Sequence, residues 1–257
     1  MPTAFDCPAR WEAEQLRGLR SPMAGNAVLG KALHRSTAKY DQSVIDGTGL
    51  TPDETAAVAI DTFADPGDEV AYDEDEDVQS LEKIAVALHK RYCNEIAPRQ
   101  TYAAVEVRCD SLVISDLGLE LTGTADRISV AKDGGYGVAD VKSGKTAVRA
   151  DGHVETKGHA YQVGVYELLA QHASGLPITA PAQIIGLQTG KTERGQRVAL
   201  SDPINGARDL LIGDEDSPGV LQMLSRMVHS GSFPGNPRSM MCHSRYCAAY
   251  STCKFRR

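Results

Sequence analysis

Leu121-Thr-Gly-Thr-Ala-Asp126 and Gly137-Val-Ala-Asp140-Val-Lys142-Ser-Gly-Lys145 decide how this chain is read. Leu119 to Val130 and Tyr136 to Lys142 alternate in the manner of half-buried strands, and Lys132-Asp-Gly-Gly135 between them signals a turn. Residues two apart on a strand project to the same face, so Asp140 and Lys142 stand side by side. If the two strands pair antiparallel, Asp126 comes close to both. Two carboxylates converging on one point hold a hard divalent cation. A lysine beside that cation can orient water or stabilise charge developing on a phosphate. An Asp-x-Lys on an exposed strand is common by itself, and the flanking strand and turn signals give this one its weight.

Outward from that stretch, 257 residues with 42% apolar composition suffice for one large domain with a core. No apolar run approaches the roughly 20 residues that span a bilayer. Met1-Pro-Thr-Ala-Phe-Asp-Cys-Pro8 lacks the basic and apolar stretches of a signal peptide. The expectation is a cytoplasmic protein with no membrane contact. Its six cysteines are then core residues or metal ligands rather than disulfides. A formal charge of −7 argues against nonspecific coating of nucleic acid. Asp61 to Asp77 carries nine acidic residues and no basic one, and reads as a solvated loop between helices.

The expected order is helices, a β-meander, a helix, a β-hairpin, a helix and a cysteine-rich tail. Cys7 to about Tyr40 reads as helical with a break near Ser21-Pro22, and contains Gly30-Lys-Ala-Leu-His34. Thr51-Pro-Asp-Glu54 is a helix start running to about Ala64. Val78 to Ile96 is amphipathic. Strands are expected at Ala103 to Arg108, Leu119 to Val130, Tyr136 to Lys142, Gln183 to Gln188 and Gln196 to Leu200. Further helices are expected at Glu155 to Ala173 and Ile204 to His229. This is an α/β or α+β single domain over 1–257. It divides into a helical part (1–100), a core (101–202), and a C-terminal helix with the cysteines (203–257).

Gln162 and Tyr166, four apart, share a helical face and can hydrogen-bond a phosphate or position a metal-bound water. Cys242, Cys247 and Cys253 lie within twelve residues and suit a soft-metal site, one ligand short of the four that zinc or a [4Fe–4S] cluster needs. Cys93, in an amphipathic helix, and Cys109, in a strand, read as buried apolar residues. Arg238, Arg245, Lys254, Arg256 and Arg257 are candidates for contact with a nucleic-acid backbone. Tyr246, Tyr250 and Phe255 are expected to pack around the cysteines.

Gly30-x-x-x-His34, Gly123-Thr-Ala-Asp126, Asp140-Val-Lys142 and Gln162-x-x-x-Tyr166, in that order, resemble the motifs of RecB-type nucleases in the PD-(D/E)XK superfamily. Cys7-Pro with the three C-terminal cysteines is similar to the iron–sulfur version found in AddAB-type repair nucleases, the CRISPR-adaptation exonuclease and many phage exonucleases. The gap Cys242-x4-Cys247 is wider than in the CRISPR-associated relatives. The resemblance implies a restriction-endonuclease-like core, a mixed central sheet flanked by helices. It implies a Mg²⁺- or Mn²⁺-dependent deoxyribonuclease leaving 5′-phosphate ends. It makes His34, Asp126, Asp140 and the Val141 carbonyl metal ligands, Lys142 the catalytic lysine, and Gln162 and Tyr166 DNA contacts near the cleaved bond. Cys7 becomes the fourth ligand of a [4Fe–4S] cluster, with zinc, or zinc with His243 in place of one cysteine, as the rival. The implied role is an exonuclease in recombination, repair or phage replication, beside a single-strand annealing protein or a helicase. A pre-spacer-trimming nuclease of CRISPR adaptation and a non-catalytic DNA-end-binding subunit are the alternatives. Gly144-Lys145-Thr146 lacks the upstream glycine of a phosphate loop, so no helicase motor is expected within the chain.

Overall fold

The strands expected around Asp126 and Asp140 form and join one five-stranded sheet. The computed structural model describes residues 2–256 apart from 75 and 215. Two short helices, α1 (Pro2–Asp6) and α2 (Pro8–Gln15), precede a two-residue strand, β1 (Met23–Ala24), and the long helix α3 (Gly25–Ile45). Then come α4 (Pro52–Ala64), β2 (Val70–Ala71) and α5 (Val78–Arg91). A π-helical turn, Tyr92–Ile96, leads on to β3 (Tyr102–Ile114). β4 (Leu119–Val130), β5 (Tyr136–Gly144), α6 (Ala160–Ser174), β6 (Gln183–Gln188), β7 (Arg197–Leu200), α7 (Ala207–Ile212) and α8 (Val220–Ser230) complete the order.

Strands β3 to β7 lie in sequence order across the sheet. β5 and β6 run parallel, with α6 in the connection between them, and the other pairs are antiparallel. Alternation sets the layers. Ala139, Val141, Ile185 and Leu187 point into a core with Leu29, Leu33, Leu88 and Ile96 from α3, α5 and the π-turn. Val138 and Ile184 point the other way, against Val163 and Ala170 of α6. Each fully buried branched side chain contributes about 1.5–3 kcal/mol. A one-residue slip of β5 would exchange the two faces and is therefore excluded. The same alternation turns Asp140 and Lys142 toward the α6 side. Gly30 lets α3 approach β5, since a Cβ there would lie 3.1 Å from Ser143 Oγ. That approach carries His34, one turn on, to the sheet. On α6, a Cβ at Gly164 would fall 2.5 Å from the Ala207 carbonyl oxygen, so glycine permits α7 to dock.

Arg127 is fully buried and binds the helices to the sheet. Its Nε donates to Asp41 Oδ2 at 2.7 Å, its Nη2 to Thr37 Oγ1 at 3.1 Å, and its Nη1 to the Asp126 carbonyl at 2.8 Å. Tyr92 in the π-turn donates to Asp41 at 2.6 Å, and the Tyr102 ring lies 5.8 Å from the guanidinium. Burial pushes the Asp41 carboxyl up, against the pull of Arg127 and the Tyr92 hydroxyl. Arg127 sits above the usual arginine range because Asp41 faces it, which outweighs burial. The π-turn sits where Tyr92 must face Asp41.

Several expectations need correction. The helix expected from Glu155 begins at Ala160, because the Glu155 carboxylate accepts the Thr156 and Lys157 amides in a turn and Gly158 follows. The helix expected over Ile204 to His229 is two helices, broken between Gly213, at φ 71°, and Pro218-Gly219. The acidic segment is not simply a solvated loop. Asp61 belongs to α4, β2 pairs with β1, and Asp65, Asp68, Asp73, Glu76 and Asp77 take specific partners; Asp75 lies outside the described residues. Lys31 reaches Asp68 at 3.0 Å, and Arg245 of the tail is bound to Asp73 with Glu76 at 3.8 Å. Arg245 is thus engaged by protein rather than turned outward. Arg257 lies outside the described residues. The Thr51 start is a full capping box, Thr51 Oγ1 accepting the Glu54 amide at 3.2 Å and the Glu54 carboxylate the Thr51 amide at 2.8 Å. Cys93 and Cys109 are buried, as expected.

Candidate active site

β4 and β5 pair antiparallel with Arg127 opposite Ala139, so Asp126 and Asp140 occupy the next rung. Asp126 is 6% and Asp140 1% exposed, so both carboxylates have been taken out of water. Asp126 Oδ2 accepts the Val141 amide at 2.7 Å, and its Oδ1 lies 3.3 Å from His34 Nδ1. Lys142 Nζ lies 2.6 Å from Asp140 Oδ2, yet that oxygen makes no directed hydrogen bond. The Lys142 ammonium is the cation that faces this buried carboxylate oxygen and offsets the cost of its burial.

The two carboxyls are driven apart electrostatically. Burial alone would raise both. At Asp126 the hydrogen bond and charge of His34, the Val141 amide and Arg127 win, and hold it below the usual carboxylate range. At Asp140 burial wins, helped by the charge of Asp126, and pushes the carboxyl up to about 6 against the pull of Lys142. Burial would lower His34, but Asp126 outweighs it and raises the imidazole. One low and one elevated carboxyl side by side is the pattern of a site arranged for cation binding or proton movement.

On α6, Gln162 Nε2 donates to the Tyr166 hydroxyl at 2.8 Å. Burial raises the Tyr166 phenol to about 12, and the charges of Asp140 and Asp126 act in the same direction, so this face of α6 looks onto the carboxylates. His34, Asp126, Asp140, Lys142 and Tyr166 are thus gathered in one region. Sequence reasoning missed Glu106. It sits on β3 between Val105, paired with Arg127, and Val107, paired with Ala125, which puts it opposite Asp126. Ligand atoms of His34, Glu106 and Asp126 all lie within 4.8 Å of one another. Alternation along β3 could have placed Glu106 on the Asp126 face only once the strand register was known.

A second cluster lies where the chain ends meet. Cys7, Cys242, Cys247 and Cys253 line one small cavity. The Asn236 amide donates to Cys7 Sγ at 3.4 Å, Asn236 Nδ2 to the Asp6 carbonyl at 2.9 Å, and Ser239 Oγ to Asp6 at 2.6 Å. Burial raises the Cys247 thiol, and Cys7 and Cys253 are near enough to add to the effect. Tyr250 and Phe255 line the same cavity, whereas Tyr246 carries Arg245, 5.5 Å from its ring. Among the described residues the one group of ligand atoms within 4.8 Å of one another is His34, Glu106 and Asp126, so no three of these sulfurs form a set that tight. Zinc–sulfur bonds of about 2.3 Å would need tetrahedral edges of about 3.8 Å.

A sheet with an aspartate and an Asp-x-Lys on adjoining strands, faced by a histidine and a Gln/Tyr pair, is an arrangement that can handle phosphate beside a divalent cation. Residues 3–254 match the family model of the PD-(D/E)XK nuclease superfamily, and the chain belongs to that superfamily. Its members are typically metal-dependent nucleases acting on DNA, and the mixed α/β architecture is that of their fold. No curated protein matches the chain. Among the described residues no helix is long and apolar enough to cross a membrane.

Proposed function

We propose that this chain is a Mg²⁺- or Mn²⁺-dependent DNA exonuclease, with Asp126 and Asp140 as the metal carboxylates and Lys142 as the catalytic lysine. The observation that carries this reading is the buried Asp140 oxygen, without a hydrogen bond, 2.6 Å from Lys142 and one rung from Asp126. His34 and the Val141 carbonyl are the further ligands in this proposal. The donor set of carboxylates, carbonyl and imidazole suits Mg²⁺ or Mn²⁺ rather than a soft metal. When bound, the cation lowers the pKa of water and neutralises charge on the scissile phosphate.

The chain's own residues divide the remaining work. Lys142, partly exposed, orients the nucleophile or the phosphate oxygen that gains charge. The Val141 amide fixes one oxygen of Asp126 and so presents the other toward His34. Gln162 and Tyr166 hold each other and present donors where the DNA backbone passes. A groove of about 610 Å³ beside the end of β5 is lined by charges of both signs, Lys83, Lys145 and Lys191 with Asp73, Glu76 and Glu193 among them. The exonuclease assignment, with 5′-phosphate products in recombination, repair or phage replication, rests on the RecB-type pattern of the Gln162/Tyr166 and cysteine motifs. Purified protein incubated with 5′- and 3′-end-labelled single- and double-stranded DNA is expected to release nucleotides from an end with Mg²⁺ or Mn²⁺, and to stop on chelation. Binding of ends without cleavage under every condition would favour a non-catalytic end-binding subunit.

In the same proposal Cys7, Cys242, Cys247 and Cys253 hold a [4Fe–4S] cluster that ties the chain ends together. Their convergence on one cavity supports a shared metal site at the chain ends, and the preference for the cluster over zinc rests on the resemblance of the cysteine pattern to the iron–sulfur nucleases. Metal bound at a site absent from the unfolded chain adds its binding energy to folding. Anaerobically purified protein is expected to be brown, with about four irons per chain. Colourless protein with about one zinc per chain would replace the cluster by zinc.

A further inference from the structure

We propose that Phe5 and Tyr161 form a platform on which an unpaired base of the DNA strand stacks beside the catalytic site, so that the protein takes single strands or frayed ends. The inference rests on the nuclease reading and deepens it by naming the form of the substrate. The two rings have centroids 6.4 Å apart and planes tilted by 58°, one ring from α1 and the other from the first turn of α6. They are 39% and 38% exposed. A single exposed apolar side chain is ordinary and needs no explanation. Two aromatic rings brought together from distant parts of the chain and left open to water offer π-faces that accept any base. In a duplex the faces of the bases are covered by their neighbours, so an unpaired, unstacked base is the occupant that fits.

Packing fixes both rings. Ala4 is fully buried in a core shared with Val165 and Leu169 of α6, so the small neighbour fills the interior and the larger Phe5 stays at the surface. The residue after Phe5 is held from the tail. The Asp6 carbonyl accepts Asn236 Nδ2 at 2.9 Å, and the Asp6 carboxylate accepts Ser239 Oγ at 2.6 Å. The meeting of the chain ends at Cys7 therefore also holds Phe5 in place. Tyr161 directly precedes Gln162, whose partner Tyr166 looks onto the carboxylates. It follows His159 by two positions, and the His159 imidazole is lowered by burial and then by the charge of Lys142. The first turn of α6 thus borders the catalytic lysine. Lys157, exposed in the turn before α6, supplies positive charge for a backbone phosphate. Aromatic rings for bases next to a cation for phosphate is the combination that binds single strands without regard to sequence.

The test is fluorescence anisotropy, with chelator present to prevent cleavage, on labelled single strands that each lack one base at a successive position from the end. Wild type is expected to bind the strand lacking the stacked base about tenfold more weakly than the complete strand. Phe5→Leu and Tyr161→Leu are each expected to bind the complete strand about tenfold more weakly than wild type and to lose the distinction between the two strands, while Tyr161→Phe, which keeps a ring, binds as wild type does. With Mg²⁺ the same loss is expected in KM, with kcat within about twofold of wild type, because the platform acts on binding. The wild-type contrast between strands needs no variant, so a leucine variant that fails to fold leaves the test intact. If wild type binds every abasic strand as tightly as the complete one, or Tyr161→Leu keeps the distinction, the platform is refuted, while metal-dependent cleavage leaves the nuclease reading standing. If wild type neither binds nor cleaves DNA of any form, the nuclease reading falls and the platform with it. A wild-type dimer that Tyr161→Leu dissociates, with affinity for DNA unchanged, would make the rings a contact between two copies of the chain and overturn the proposal as well.

Discussion

Lys142→Ala is expected to slow DNA cleavage by about a thousandfold at saturating Mg²⁺, the scale on which removal of a charge-stabilising group acts on a transition state. The lysine is partly exposed and on a strand whose core contacts are made by Val138, Ala139 and Val141. The fold should therefore persist, with an unchanged far-ultraviolet circular dichroism spectrum. A second consequence follows from Asp140. Its carboxyl is already raised to about 6 by burial, and Lys142 is what restrains it. Removing the ammonium raises it further, so more of Asp140 is protonated near neutral pH and Mn²⁺ affinity falls there. The sign is fixed: protons compete with the metal, and raising the pH restores binding. Asp126→Ala and Asp140→Ala are expected to abolish cleavage outright. Cleavage at the wild-type rate in Lys142→Ala, measured on end-labelled DNA, would remove Lys142 from the chemistry.

Arg127→Met is expected to destabilise the protein by about 3–5 kcal/mol, because it leaves Asp41 buried without its partner. Asp41 is 2% exposed and would face only the hydroxyl of Tyr92. For a chain of this size the melting temperature should fall by roughly 10 °C. The double variant Arg127→Met/Asp41→Leu should recover much of the loss, since removing both charges together avoids the buried anion. Equal melting temperatures for Arg127→Met and wild type would show that the buried pair contributes nothing. Arg127 also donates to the Asp126 backbone and reaches across to α3, which carries His34. Its loss should therefore loosen the distance between His34 and Asp126.

What could be read in advance was local. The strands around Asp126 and Asp140 announce themselves by alternation and a Gly-Gly turn, and form over Leu119–Val130 and Tyr136–Gly144. The capping residues of Thr51-Pro-Asp-Glu54 carry their own start signal. His34, Gln162 and Tyr166 were candidates only through spacing matched to a family pattern, and no local signal ties α3 or α6 to β4 and β5. What escaped was non-local or conformational. Glu106 is an ordinary strand residue in sequence, and its positive φ depends on what faces it across the ladder. The partner of Arg245 lies 172 positions earlier in the chain, in a segment whose composition suggests only solvation. Arg127 follows a candidate ligand directly, but its burial depends on Asp41, which is 86 positions away. The turn at Glu155 and the break at Gly213 are side-chain and glycine effects that helical periodicity overrides on paper and not in the chain.

The central claim is that Asp126 and Asp140 grip a divalent cation beside Lys142. Crystals soaked in Mn²⁺ and measured for anomalous scattering test it most directly. An anomalous peak within about 2.2 Å of a carboxylate oxygen from each aspartate is the expected result. A fully soaked crystal with manganese elsewhere and none between these two side chains would contradict it.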